Sequence, residues 1–201
     1  MSDAVAELVA AAGWKLRTLL RTRRFYTDAD LIVLYKSHLL SFLEYRTPAV
    51  YHATRAILVR LDSVQSNFLG DIGVDEVTAL AEFHLAPLAI RRDIAMLGVI
   101  HRTALGKGPP HFAKYFKRLG PRLLHDPRKD SSASLIKRSA LGLVAVYNLL
   151  PPEVVAARSV KQFQRELQGI VCKYAKSGYP QWREILSPRV SLETHPLVSL
   201  F

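Results

Sequence analysis

The chain has one cysteine, Cys172, and no long hydrophobic run among its 201 residues. A single cysteine can form neither an intrachain disulfide nor a cysteine-rich zinc site. No apolar run approaches the ~20 residues that a membrane-spanning helix needs. Acidic Asp3 and Glu7 stand where a secretory signal would carry basic residues. We therefore expect an intracellular protein, nuclear or cytoplasmic, that is not secreted and has no membrane partner.

The sequence also lacks a recognisable catalytic motif. Its seven histidines have no metal-ligand spacing, and it contains no glycine-rich phosphate loop. The nearest approach to a polymerase aspartate pair is Asp28 and Asp30, which Ala29 separates. A polymerase needs adjacent carboxylates to bridge two metal ions, so helix capping explains these two residues better. We predict no catalytic residue, no metal ligand, no cofactor and no enzymatic activity.

What the sequence does have is apolar content and positive charge. Hydrophobic residues make up 49% of the chain, which is enough to build a core. The formal net charge is +11, with 28 basic and 17 acidic residues. Residues 1–60 carry a net charge of +4, residues 61–110 of −2 and residues 111–201 of +9. A basic excess of this size favours a polyanionic partner such as nucleic acid.

Apolar spacing predicts an all-α fold that begins with two contrasting helices. Residues 4–22 form an amphipathic pattern, and Arg23 would enter its apolar stripe, so this helix should end nearby. A second helix should begin near Asp28, with Thr27 or Asp28 as its N-cap. It is apolar on nearly every side, which predicts burial of the helix and of His38. One side carries Leu31, Leu34, His38, Phe42 and Tyr45, and much of the rest is covered by Ile32, Val33, Leu39, Leu40 and Leu43.

The remaining pattern predicts an irregular helical bundle followed by a basic loop and a short helical extension. Helices are expected from about Thr54 to Leu69, from Asp75 to Phe83 and from Pro87 to Leu105. Later helices should cover roughly 135–149 and 159–174. The resulting domain prediction is a helical domain over 1–117, a basic linker over 118–134, a helical extension over 135–187 and a loose tail over 188–201.

The strongest binding signal is the block from Trp14 to Tyr26, which has five basic residues and no acid. Arg and Lys pair with phosphates, and an exposed aromatic ring can stack on a base. Two alternatives are a solvated helix face with its tryptophan packed elsewhere and, less favoured, a membrane-surface helix. The predicted nucleic-acid contacts are Lys15, Arg17, Arg21 and Arg24, with Trp14 as a stacking residue and Lys36 as a weaker candidate.

A second basic cluster follows in the less regular part of the chain. Such a segment can track a phosphate backbone, but it can equally be a solubilising linker. Its basic members, with Tyr115 and Phe116 interleaved, are Lys114, Lys117, Arg118, Arg122, Arg128, Lys129, Lys137 and Arg138.

Three stretches together resemble the region downstream of the palm in reverse transcriptases of non-LTR (LINE-type) retrotransposons. The first is Leu34-Tyr35-Lys36-Ser37 followed by Leu43-Glu44-Tyr45. The second runs from His84 through Pro87 and Arg91 to Gly108. The third is similar to the family's terminal WNSLP segment, with Tyr147 in place of its tryptophan, and begins Tyr147-Asn148-Leu149-Leu150-Pro151-Pro152.

This resemblance implies a thumb-like helical module, without the catalytic palm, that grips the template–primer duplex. The implied partners are an RNA/DNA duplex backbone, bound with low sequence specificity, and a palm domain. Two alternatives remain open from the residues themselves. One is a helical protein–protein interaction module. The other is a non-functional remnant of a decayed retroelement, which predicts poor independent folding because apolar surface would be exposed.

Overall fold

Helices form the regular structure throughout the described part of the chain. The computed structural model describes residues 2–117, 119–120, 123–130 and 133–200, and these residues contain helices and turns but no strand. The predicted all-α fold is confirmed. The chain divides into two compact units, residues 1–89 and residues 90–201. The division lies just inside the seventh helix rather than in the glycine- and proline-containing segment where the sequence predicts a linker.

The first unit contains two long helices and several shorter ones. Helix α1 (Ser2–Arg21) has its most extensive contacts in this unit with α5 (Arg55–Ile72). Between them come a 3₁₀ turn (Arg23–Phe25), α2 (Asp28–Tyr35), a π-helical turn (Lys36–Leu40), α3 (Ser41–Tyr45) and α4 (Thr47–Val50). Helix α6 (Glu76–Phe83) follows α5.

The core of the first unit follows from the apolar stripes of these helices. Val5, Leu8, Ala12 and Leu16 bury one side of α1, as the spacing predicts. The rings of Tyr35 and Phe68 stack with their centroids 4.4 Å apart and their planes 9° apart. Further buried members of this core are Leu31, Ile32, Leu39, Leu40, Leu43, Val50, Ala53, Leu58, Leu61, Val64, Leu69, Ala79, Leu85 and Leu88.

Local capping signals set two helix starts of the first unit where the sequence predicts them. Thr27 and Asp30 form a capping box at the start of α2, with each side chain bonded to the other's backbone N–H. Asp75 accepts hydrogen bonds from Val77 N and Thr78 N at the start of α6. The capping explanation of Asp30 is therefore confirmed, because its carboxylate accepts hydrogen bonds from the backbone N–H and the hydroxyl of Thr27 at the helix start.

The helix after Thr27 is not the continuous α-helix that the sequence predicts. In an α-helix each step of four residues drifts by about 40° around the axis. The π-helical turn at Lys36–Leu40 has more residues per turn, so each residue rotates less around the axis and the drift is reduced. Tyr35, Leu39 and Leu43 therefore stay on the buried side. The burial predicted for His38 and Tyr45 is wrong. His38 is exposed and Tyr45 has 87% of its surface exposed.

The second unit is built from shorter elements around one long pair. Helix α7 (Leu88–Ala104) and α12 (Val160–Lys176) are its longest helices. Ser159 caps α12 as predicted, because its hydroxyl accepts a hydrogen bond from Gln162 N. The other elements are α8 (Pro110–Ala113), a 3₁₀ turn (Pro127–Lys129), α9 (Ser134–Arg138), a 3₁₀ turn (Ala140–Gly142), α10 (Leu143–Leu149), α11 (Pro152–Val155), a 3₁₀ turn (Trp182–Glu184) and α13 (Pro196–Leu200).

Two segments of the second unit differ from their predicted character. The segment predicted as a linker over 118–134 buries Leu124, whose backbone exchanges two hydrogen bonds with the Asn148 side chain at 3.0 and 2.8 Å. The segment predicted as a loose tail over 188–201 buries His195 and Leu197. Both segments are anchored because a few of their apolar or polar groups fill places in the interior.

Candidate nucleic-acid interface

The exposed side of α1 carries the predicted binding residues because the opposite side is the apolar stripe. Trp14, Arg17 and Arg21 follow one another at spacings of three and four, so they lie along one face. Trp14 has 62% of its surface exposed, and Arg17 and Arg21 are exposed as well. We call Trp14, Arg17, Arg21 and Arg24 the α1 basic face. The alternative in which Trp14 packs into the protein does not fit its exposure.

The turn after α1 separates Arg23 from Arg24. The Arg23 guanidinium donates a hydrogen bond of 2.9 Å to the backbone oxygen of Asp71, which ties this turn to the end of α5. Arg24 instead lies over the exposed ring of Phe25, 4.7 Å from its centroid. Arg23 therefore has a structural contact, whereas Arg24 adds a solvent-accessible cation to the end of α1.

Lys15 and Lys36 lie apart from this face. The Lys15 ammonium lies 5.2 Å from the centroid of the Phe42 ring, which Arg46 also contacts at 5.9 Å. The Lys36 ammonium donates a hydrogen bond to the backbone oxygen of Phe83. Of the six predicted site residues, the structure therefore brings four into one region and directs two toward other groups.

The electrostatics of the α1 basic face are dominated by unpaired cations. Within the described part of the chain, Arg17, Arg21 and Arg24 have no ion-pair partner. The nearest acids in the sequence start α2, where hydrogen bonds from Thr27 hold the pKa of Asp30 below its ordinary value. Asp30 thus stays ionised, and its carboxylate is hydrogen-bonded within the helix cap. Arg21 also lies in the last turn of α1, where a cation is favourable toward the helix dipole.

The described members of the second basic cluster have different immediate surroundings. The Lys114 ammonium lies 4.9 Å from the centroid of the Tyr115 ring, while Phe116 is buried. Arg128 pairs with Asp126. His125 forms its own contact, 2.6 Å long, with the carboxylate of Asp130. Two members of this cluster, Arg118 and Arg122, lie outside the described residues.

The third stretch of the family resemblance provides packing for the second unit. Tyr147 is buried, and its hydroxyl lies 3.0 Å from Nδ1 of His101. The His101 ring stacks on Phe163 at 4.1 Å, and its Nε2 bonds the backbone oxygen of Ala157 at 2.9 Å. Burial of the imidazole lowers the pKa of His101, although the Ala157 bond and the charge of Glu166 act in the opposite direction. A structural role accounts for these residues.

The described residues contain no group of three or more His, Cys, Asp or Glu side chains positioned to hold a metal ion. No helix among them has the length and apolar character required to cross a membrane.

Comparison with known proteins gives no relative for this chain. It matches no protein-family model, no curated protein and no solved structure. The resemblance to the thumb region of non-LTR reverse transcriptases therefore stays a prediction.

Proposed function

We propose that this chain is a non-catalytic, thumb-like helical module of the retroelement reverse-transcriptase type that binds the backbone of an RNA/DNA duplex. The observation that supports this proposal is the α1 basic face, where Arg17 and Arg21 are exposed on one side of a long, firmly packed helix. Such a helix presents its cations at fixed spacing, so they can contact successive phosphates. Contacts of this kind position a duplex but do not read its sequence.

The test is a salt titration of binding by fluorescence anisotropy, with the purified full chain and a labelled RNA/DNA hybrid. Log affinity should fall with log salt at a slope of about −0.9 per phosphate contact. Replacing Arg17, Arg21 and Arg24 together by Ala should weaken binding and flatten that slope by about two to three units. The variant should stay folded, because these side chains are exposed and Ala is a strong helix former.

A charge-matched control separates the α1 basic face from the general positive charge of the chain. Lys161, Arg165 and Lys176 are exposed on α12, and replacing them by Ala removes the same charge. We expect this control to change the salt slope much less than the α1 variant does. Equal effects of the two variants, or no binding by the folded chain at low salt, would contradict the proposal.

The alternative function is docking of another protein, and exposed aromatic side chains favour it. Trp14, Phe25 and Tyr45 have 62%, 68% and 87% of their surfaces exposed. Aromatic residues of this kind are common anchors of protein interfaces. Under the docking alternative, Trp14→Ala should weaken association with a protein partner, such as a polymerase palm, and leave duplex affinity unchanged. A fall in duplex affinity with Trp14→Ala would instead indicate that the indole contacts nucleic acid.

A further inference from the structure

The second unit contains a cavity of about 450 Å³ whose lining is rich in cations. Arg128, Lys137, Arg138 and Arg189 contribute to its wall, and none of its lining residues that the structure describes is Asp or Glu. The rest of the lining comes from the segment 188–192, which includes three apolar residues and one serine. Four cations and no acid around one cavity indicate a site for an anionic group.

Separate segments of the chain bring these four cations together. Arg128 lies in the 3₁₀ turn Pro127–Lys129, and Lys137 and Arg138 end α9. Arg189 follows Ser187, whose hydroxyl accepts a hydrogen bond from Arg189 N at 3.3 Å.

The part of the lining that carries Arg189 is anchored because the C-terminal segment folds back on itself. His195 Nε2 contacts the backbone oxygen of Ser187 at 3.1 Å, and His195 is buried. The segment that carries Arg189 is thus held at both ends of a short loop. The cavity is therefore a product of the fold rather than of one basic run in the sequence.

One cation of this cavity, Arg128, is paired with a carboxylate of the protein. Arg128 donates two hydrogen bonds to Asp126 through Nε, both 3.1 Å long, and a third of 2.9 Å through a terminal nitrogen. Burial raises the pKa of Asp126, but the hydrogen bonds and charge of Arg128 outweigh it and hold that pKa below its ordinary value. This carboxylate is therefore ionised, and it neutralises the charge of Arg128.

Arg138 contributes a buried donor to this cavity. Its Nε is buried and has no hydrogen-bond acceptor among the described residues. A buried donor without an acceptor is unfavourable, and the neighbouring like charges add to this cost. The nearby His195 does not supply an acceptor, because its Nε2 contacts the backbone oxygen of Ser187 and its Nδ1 accepts a hydrogen bond from Leu197 N. A bound anion would relieve both costs at once.

We propose that this cavity binds a phosphate ester, with the phosphate among the four cations and the organic substituent against the apolar residues of segment 188–192. The planar guanidinium matches two phosphate oxygens at once, which favours phosphate over a simple halide. A volume of about 450 Å³ accommodates more than a bare phosphate ion. The source can be a free nucleotide or the end or backbone of a nucleic acid, because both present the same group.

Calorimetric titration of the full chain tests the site with adenosine 5′-monophosphate as the probe. Adenosine and inorganic phosphate, the two parts of that probe, are titrated separately. We expect saturable binding of the monophosphate, weaker binding of inorganic phosphate and no binding of adenosine. Arg138→Gln should weaken monophosphate binding at least tenfold. Lys161→Gln, at an exposed position of α12, should leave it unchanged.

A melting experiment separates a binding role of Arg138 from a structural one. Without ligand, Arg138→Gln should melt no lower than the original chain, because it removes an unfavourable charge. The rise in melting temperature that the monophosphate causes should be lost in the variant. Lys137→Gln, at an exposed position of the same wall, provides a second variant with the same expected loss of binding.

Further arms identify the phosphate source and keep this site distinct from the α1 basic face. A single-stranded oligonucleotide with and without a 5′-phosphate replaces the mononucleotide. Tighter binding of the oligonucleotide, lost in Arg138→Gln, assigns the site to nucleic acid; binding of the mononucleotide alone assigns it to free nucleotides. The Arg17, Arg21 and Arg24 variant should keep monophosphate binding. If neither probe binds, or if Arg138→Gln and Lys161→Gln behave alike, the proposal is overturned.

Discussion

The two units of this chain reach stability in different ways. The first unit packs long amphipathic helices, and its buried residues are almost all apolar, with Thr47 and Gln65 as exceptions. The second unit packs shorter elements and buries Arg92, Asp93 and two histidines, His101 and His195. The first unit thus depends mainly on non-directional burial, whereas the second also buries charged and titratable side chains, which need specific hydrogen bonds.

The comparison extends to the positive charge of each unit. In the first unit, Arg17 and Arg21 lie on the outside of α1, where water solvates them. In the second unit, Arg128 and Arg138 line a cavity and are partly buried. Solvated cations favour a long, non-specific anionic surface such as a duplex, since each contributes a similar phosphate contact. Partly buried cations favour one small anion that fits the cavity.

The largest expected effect comes from truncating the aromatic centre of either core. Phe68 and Phe163 are both fully buried, and each stacks on another ring, Tyr35 and His101 respectively. Replacing either by Ala should lower the free energy of unfolding by about 3–5 kcal/mol. Denaturant unfolding measures this, with Phe25→Ala as an exposed control that should change it by less than about 0.5 kcal/mol.

The same unfolding curves address the hypothesis of a non-functional remnant. That hypothesis predicts poor folding, so it expects a broad transition and little difference between the buried and exposed substitutions. A sharp transition that shifts with Phe68→Ala and with Phe163→Ala, but not with Phe25→Ala, would contradict it.

A medium effect is expected where two backbones approach closely in the second unit. A Cβ added to Gly142 would collide with the backbone carbonyl of Lys137, whose carbon lies 2.7 Å away. Gly142→Ala should therefore cost about 1–3 kcal/mol in the free energy of unfolding. Gly169, within α12, has open space around the same position, so Gly169→Ala should stabilise by about 0.5–1 kcal/mol. A gain of stability in Gly142→Ala similar to that in Gly169→Ala would show that the approach at Gly142 is not constraining.

A smaller, pH-dependent change in the free energy of unfolding should distinguish the units. The pKa values of His101 and His195 both lie below their ordinary value in the folded chain, and burial is the main cause for each. Unfolded histidines bind protons near pH 6.5, so acid favours the unfolded state. Stability should be full above about pH 6.5, fall below it by at most about 1.4 kcal/mol per pH unit per histidine, and level off below the folded pKa.

The control for this pH dependence is His101→Gln. The variant loses stability at neutral pH, since it removes the contact with Tyr147, but it should also show a shallower fall between pH 6.5 and 5. Unfolding followed at several pH values measures both. An unchanged slope in His101→Gln would show that His101 titrates in the folded chain as it does in the unfolded one.

Much of the first unit could be predicted because its signals are local. The apolar spacing of Val5, Leu8, Ala12 and Leu16 predicts which side of α1 is buried, and the structure confirms it. Short-range side-chain chemistry sets the capping box at Thr27 in the same way. The π-helical turn could not be predicted, because apolar residues surround this helix and several faces were equally suited to burial. That turn changes the exposure expected for His38 and Tyr45.

The candidate site residues likewise divide into those that local spacing predicts and those that depend on tertiary contacts. The exposure of Trp14, Arg17 and Arg21 follows from the side of α1 that the apolar stripe leaves free. The contact of Lys36 with the Phe83 carbonyl depends on a helix more than forty positions away, so local spacing does not show it. Arg189 has no basic neighbour in sequence, and nothing in its surroundings along the chain marks it as part of a cationic cavity.

The sequence by itself determined the helical class of this protein, the starts of several helices and the cationic side of α1. Those properties depend on side chains within about one or two helical turns of each other, whose geometry is the same in every α-helix. The tertiary structure alone decided the division between Ala89 and Ile90, the anchoring of the tail through His195 and the cavity that joins Arg138 to Arg189. Those depend on which distant segments can pack together without leaving voids or unpaired polar groups, and that selection is made by the whole fold.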